Sequence, residues 1–118
     1  MASSVEPRSG LNYGWTLGET PWNAGMDANL LRLGRIGFHL SIKDRDLATP
    51  PTTPANGDTY IVAPAATGAW AGKSGQIALW DGAAWAFYAP RVGWSAYVED
   101  EEVRTTYKAG GWSAGIAT

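Results

Sequence analysis

From residue 58 to residue 113 no apolar run of this chain lasts long. "DTYIVAP", "QIALW", "AWAFYAP", "GWSAYVED" and "VRTTYK" follow one another, with Gly, Pro or Asp at the breaks. Short runs rich in β-branched and aromatic residues, bounded by turn formers, mark strands joined by tight connections. The spacing predicts an antiparallel meander with a last stub near "GWSAG". With 15 Gly and 7 Trp in 118 residues, the composition favours turns and bulky anchors over long helices. That length suits one domain.

Upstream the period is different. In "ETPWNAGMDANLLRLGRIG", Trp22, Met26, Leu30 and Leu33 recur at four, four and three residues, which predicts one apolar stripe on a helix. Thr20 is placed to cap it and Pro21 to take the first helical position. Gly34 is the expected stop. Gly25 weakens the helix by up to ~1 kcal/mol relative to Ala, so the helix depends on packing. The polar residues before it read as a flexible or partner-ordered arm. In "GFHLSIKD" the period falls to two, with Phe38, Leu40 and Ile42 alternating with His39, Ser41 and Lys43. "LATPPTTPANG" is a proline-rich connector that cannot enter a central strand. The fold class is therefore mainly β: a small antiparallel β-meander domain preceded by one short N-terminal α-helix. The divisions are an arm at 1–19, a helix for attachment or oligomerisation at 20–35, and a β-domain at 36–118.

The meander contains a weak internal echo. "LWDGAAW" and "TYKAGGW" both read aromatic, four residues that include Gly, Trp. In each, a turn brings the aromatic of one strand near the Trp of the next, and cross-strand aromatic pairs contribute up to about 1 kcal/mol. Two copies do not make a repeat architecture. They predict two hairpins built alike.

Catalytic chemistry is hard to assemble from these residues. The formal charge of −2 offers no field for a phosphate backbone, so nucleic acid is not an expected partner. Without cysteine there is no disulfide and no thiolate metal site. His39, the only histidine, falls on the polar side of its strand, away from a carboxylate pair. "TGAWAGKSG" is not a phosphate loop: three residues lie between Gly68 and Gly72 where the motif needs four, and Gly75 precedes a strand rather than a helix. The run Glu99–Glu102 lacks the spaced ligands of a calcium loop and reads as a solvated turn. No enzyme activity, cofactor or metal is expected. The opening carries no apolar segment of signal-peptide type and no window reaches ~18 apolar residues, so no membrane insertion is expected and the protein is made in a cytoplasm.

What remains is aromatic. Trp and Tyr present rigid faces to sugars or proteins at low entropic cost. Most Trp in so small a domain must serve the core, and four or five of the seven are expected mainly buried. Alternation puts Trp85 and Phe87 on the core face and Tyr88 on the other. Trp80, Tyr88 and Trp94 are the candidate ligand or partner residues, with a host surface glycan as one ligand class. Trp22, Met26, Leu30 and Leu33 are the candidate attachment and oligomerisation residues.

"WNAGMDANLLRL", "RDLATPPTTPANGDTYIVAPAATGAWAGKSGQIALWDGAAWAFYAPRVGWSAYVEDE" and "YKAGGW" resemble the DUF2793 family, from about Gly18 to Trp112. The opening "LNYGWTLGETPWN" departs from relatives that carry a Gln-rich stretch before the helix, so no attachment mode is carried over for the arm. The resemblance implies a virion component of phages, prophages or gene transfer agents, in a tail fibre or spike involved in host attachment. Alternatives are a carbohydrate-binding module and an adaptor joining other virion proteins. A homo-oligomer is expected, a trimer suiting a fibre axis.

Overall fold

The computed structural model describes residues 4–37 and 39–117. It divides into two compact units, Met1–His39 and Leu40–Thr118. Phe38, expected in the first strand of the β-domain, lies outside the described residues.

The N-terminal unit holds more order than its composition suggests. Strands β1 (Ser4–Val5) and β2 (Asn12–Tyr13) pair antiparallel, so the segment read as a flexible or partner-ordered arm holds a small hairpin. Glu6 organises its turn by accepting hydrogen bonds from the backbone of Ser9 at 2.7 Å and Arg8 at 3.1 Å. These short local bonds, not apolar burial, order the segment. Helix α1 spans Trp22–Arg32 and continues as a single π-helical turn, Leu33–Gly37. Pro21 is its N-cap and no side chain caps it, so Thr20 does not play the expected role. Nor does Gly34 stop the chain: it lies within the π-turn.

In the second unit, seven elements match the predicted runs: β3 (Ser41–Ile42), β4 (Thr59–Ile61), β5 (Ile77–Trp80), β6 (Trp85–Tyr88), β7 (Ser95–Val98), β8 (Val103–Lys108) and β9 (Gly111–Trp112). A further strand, β10 (Ile116–Ala117), also pairs with β8. The pairings β4–β5, β5–β6, β7–β8, β8–β9 and β8–β10 are antiparallel. One pairing is not: β3 runs parallel to β7, with Ser41 opposite Tyr97. The fold is mainly β after one N-terminal helix, as expected, and within the β-domain two antiparallel meanders are joined by a crossover strand. The Lys43 N–H donates to the Thr59 carbonyl at 2.8 Å and the Ile61 N–H to the Asp44 carbonyl at 3.2 Å, so β3 also ties β4 to the same backbone network.

Strands β4 and β5 are covered on both faces, which explains their nearly continuous apolar sequence. One face carries Ala78 and Tyr60, packed with Val62 and Trp70 and flanked by Leu47, Ala66, Trp85 and Phe87. Ile77 and Leu79 are buried on the other face, and Ile42, Ala96, Val98 and Thr105 complete the buried set of strands β3, β7 and β8. Trp70 reaches full burial from a 3-10 turn, Gly68–Trp70, in the segment that resembled a phosphate loop. Between β9 and β10 the strand bulges at Gly115, where φ is 105° and an added Cβ would lie 2.6 Å from Val103 Cγ2.

Candidate functional site

In the N-terminal unit the helix is held by a polar contact. Asn29 is its buried residue. Its Nδ2 donates to the Asn12 carbonyl at 2.9 Å, and its Oδ1 accepts from the Asn12 N–H at 2.6 Å. The side-chain amide thus pairs with β2 as a neighbouring strand would. Arg32 Nε donates to the Ser9 carbonyl further along. Trp15 lies against Gly25, where an added Cβ would meet Trp15 Cζ2 at 2.6 Å. Gly25 is therefore the residue that lets the indole approach the helix. Trp15, Leu17, Trp22 and Met26 then frame an open hollow of about 460 Å³.

The expected stripe is accordingly turned partly outward. Trp22 is 54% and Leu30 60% exposed, while Met26 and Leu33 are half-buried. Val5, Tyr13, Leu17 and Leu31 are also exposed, and among the described residues of this unit no apolar side chain is fully buried. The β-domain contrasts with it: Val92 and Ile116 are its exposed large apolar residues.

In the β-domain the rings of Tyr60, Trp70, Trp85 and Trp80 form a connected series. Centroids are 6.0 Å apart for Tyr60–Trp85, 5.1 Å for Trp70–Trp85 and 5.2 Å for Trp80–Trp85, all three pairs meeting edge to face. Trp80 and Trp85 are direct cross-strand partners. Tyr107 and Trp112 are paired in the same way, with centroids 5.1 Å apart. The two echoing segments are therefore two hairpins closed by equivalent aromatic pairs. Asp81 shapes the first turn by accepting from the N–H groups of Ala83 and Ala84, both at 2.8 Å.

The three candidate ligand residues do not form one platform. Trp80 shares a face with Trp85, whereas Tyr88 lies on the opposite face at the other end of the hairpin, opposite Ile77. Trp94 precedes β7, its carbonyl accepting from the Tyr107 N–H at 2.8 Å. All three are half-buried. Among the seven Trp, Trp70 is buried, Trp22 exposed and the rest intermediate.

The acidic turn has a partner that the sequence did not single out. Arg45 makes a two-pronged contact with Glu101, at 2.9 Å and 2.8 Å, and donates to the carbonyls of Ser113 at 2.8 Å and Ala114 at 2.5 Å. The signal was present as "KDRD", an arginine between acidic residues after a strand, but nothing local named its partner 56 positions away. The Arg45 hydrogen bonds hold the Glu101 carboxyl below its ordinary range. Asp100 moves upward, through burial first and then through Asp44, Glu101 and Asp46. Carboxylate oxygens of Asp44, Asp46 and Asp100 all lie within 4.8 Å of one another and could share a hard cation. Three such donors fall short of the six to eight oxygens that Ca²⁺ takes, and Asp46 and Asp100 are exposed. His39 is exposed as well.

The model of the family described as "Protein of unknown function (DUF2793)" matches residues 26–113. The chain belongs to the DUF2793 family. The DUF2793 match begins inside α1 and takes in every strand from β3 to β9, both aromatic hairpins and Arg45. The β1–β2 hairpin, Trp15 and Trp22 fall outside it. No curated protein matches the chain. Among the described residues no helix is long and apolar enough to cross a membrane.

Proposed function

We propose that this protein is a structural component of a phage particle, in a tail fibre or spike that takes part in host attachment. The virion setting rests on what the resemblance to the family implies. The observation that carries an assembly role is the contrast between the units: six large apolar side chains, Val5, Tyr13, Leu17, Trp22, Leu30 and Leu31, are exposed in the N-terminal unit. Domains below about 40 residues need disulfides, metals or association to be stable, and this unit has no cysteine. Its exposed face is the attachment surface, for symmetry mates or for a neighbouring virion protein, and Trp22 is its largest element. The β-domain, which holds the buried apolar residues, is the part displayed.

The test is particle incorporation. A chain lacking residues 1–39 is expected to fold as a β-domain and to be missing from purified particles when these are analysed by mass spectrometry. Normal incorporation of the shortened chain removes the assignment. An adaptor between other virion proteins would use the same surface. A glycan-reading surface has weaker support, because Trp80, Tyr88 and Trp94 do not share a face.

A further inference from the structure

We propose that the free edge of β6 pairs with the same edge of a second copy, antiparallel and about a two-fold axis at Ala86. The argument begins with backbone parity. The Trp80 N–H donates to the Asp58 carbonyl and the Trp80 carbonyl accepts from the Gly57 N–H, so even-numbered residues of β5 face β4. Odd-numbered residues of β5 therefore face β6, and the hydrogen-bonded pairs are Leu79 with Ala86 and Ile77 with Tyr88. This leaves Trp85 and Phe87 with their N–H and C=O groups directed away from β5. Among the described residues neither has another backbone partner.

Two donors and two acceptors in that order are complementary to themselves. A two-fold axis at Ala86 sets Trp85 opposite Phe87 of the second copy and Phe87 opposite its Trp85. Each pair exchanges two hydrogen bonds, four in all, and Ala86 faces its own copy across a non-bonded position. The sequence clears the way for such an approach. From Gly82 to Pro90 there is no charged residue, and Pro90 is the only edge-blocking residue; protected edges usually carry Lys, Pro or a bulge. Ala83, Ala84, Ala86 and Ala89 present little bulk.

The outer strands beside β8, in the other sheet of the β-domain, are built differently. There β9 and β10 are interrupted by the bulge at Gly115, and Arg45 occupies the carbonyls of Ser113 and Ala114. An open edge beside a blocked one favours like pairing with like, an isologous contact that closes after two copies. This pairing does not depend on the N-terminal unit or on the particle reading.

The absence of cysteine provides a clean test in the full chain. Non-bonded antiparallel partners have Cα atoms about 4.5 Å apart, within disulfide range. Ala86→Cys is expected to yield roughly tenfold more disulfide-linked dimer under mild oxidation than Ala84→Cys, whose two copies would stand about 14 Å apart. As an independent measurement, Ala86→Lys and Ala86→Glu should each lose self-association in sedimentation, and an equimolar mixture should regain it. Equal cross-linking of the two cysteine variants, or none from either, overturns the proposal. A β6 edge reserved for a different protein would give that second result. Failure of the mixture to associate better than its components also overturns it.

Discussion

At Gly25 two general expectations point in opposite directions. By helix propensity alone, Gly25→Ala should stabilise by up to ~1 kcal/mol. The indole of Trp15 fills the space that the new methyl needs, at 2.6 Å. Overfilling a tight contact costs about 1–3 kcal/mol, so the substitution should destabilise the N-terminal unit. Faster amide exchange across residues 4–37, with the β-domain unchanged, is the expected readout, and slower exchange would contradict the packing. Arg45 offers a second residue-scale test. Arg45→Met removes the Glu101 pair and two carbonyl contacts, for a loss of about 2 kcal/mol. The pH dependence has two signs. Glu101 is depressed in the folded state, so its contribution is present above its unfolded pKa and is lost as pH falls through the folded value. Asp100 is raised, so its ionised form costs stability that is recovered as pH falls through the raised value. Asp100→Asn should therefore raise the melting temperature at neutral pH, with the gain shrinking in acid.

Among the elements, the aromatic hairpins make the most direct prediction. Trp112 pairs with Tyr107 and also donates its indole N–H to the Gly75 carbonyl at 2.8 Å, linking β9 to the segment before β5. Trp112→Phe keeps a ring and removes the donor, so thermal unfolding should show a loss of about 1 kcal/mol. These hairpins were legible because "LWDGAAW" and "TYKAGGW" each set turn formers between an aromatic and a Trp five positions on, and turn chemistry is local. The alternation of Leu40 and Ile42 with Ser41 and Lys43 was legible for the same reason, and the structure buries the first two and exposes the others. The parallel partner of β3 was not legible, since it is chosen by residues more than 50 positions away. Nor was the burial of Trp70, because "TGAWAGKSG" reads as a glycine-rich loop until a 3-10 turn directs its indole inward. In the helix the period located the stripe but not its cover. The contact that fixes α1 runs through Asn29, a residue type that hydrophobic periodicity passes over.

For the whole molecule, the distribution of burial makes the β-domain the stable body. Residues 40–118 alone should unfold in one cooperative transition near the midpoint of the corresponding transition in the full chain, as followed by calorimetry. A broad, uncooperative transition would show that the N-terminal unit supplies part of its stability. Strand β3 has a consequence for how that domain is made. It sits between β4 and β7, its Ile42 carbonyl accepting from the Glu99 N–H and its Lys43 N–H donating to Thr59. Ser41 and Glu99, which meet across this junction, are 58 positions apart. On a ribosome β3 emerges early, and β4–β6 can zip up behind it by short loop closures, but the strand that covers its other side comes much later. Until β7 is released, Leu40 and Ile42 lack their cover and the growing chain carries a second open edge beside that of β6. The rate at which residues 91–98 are synthesised therefore sets how long two uncovered edges coexist on neighbouring nascent chains.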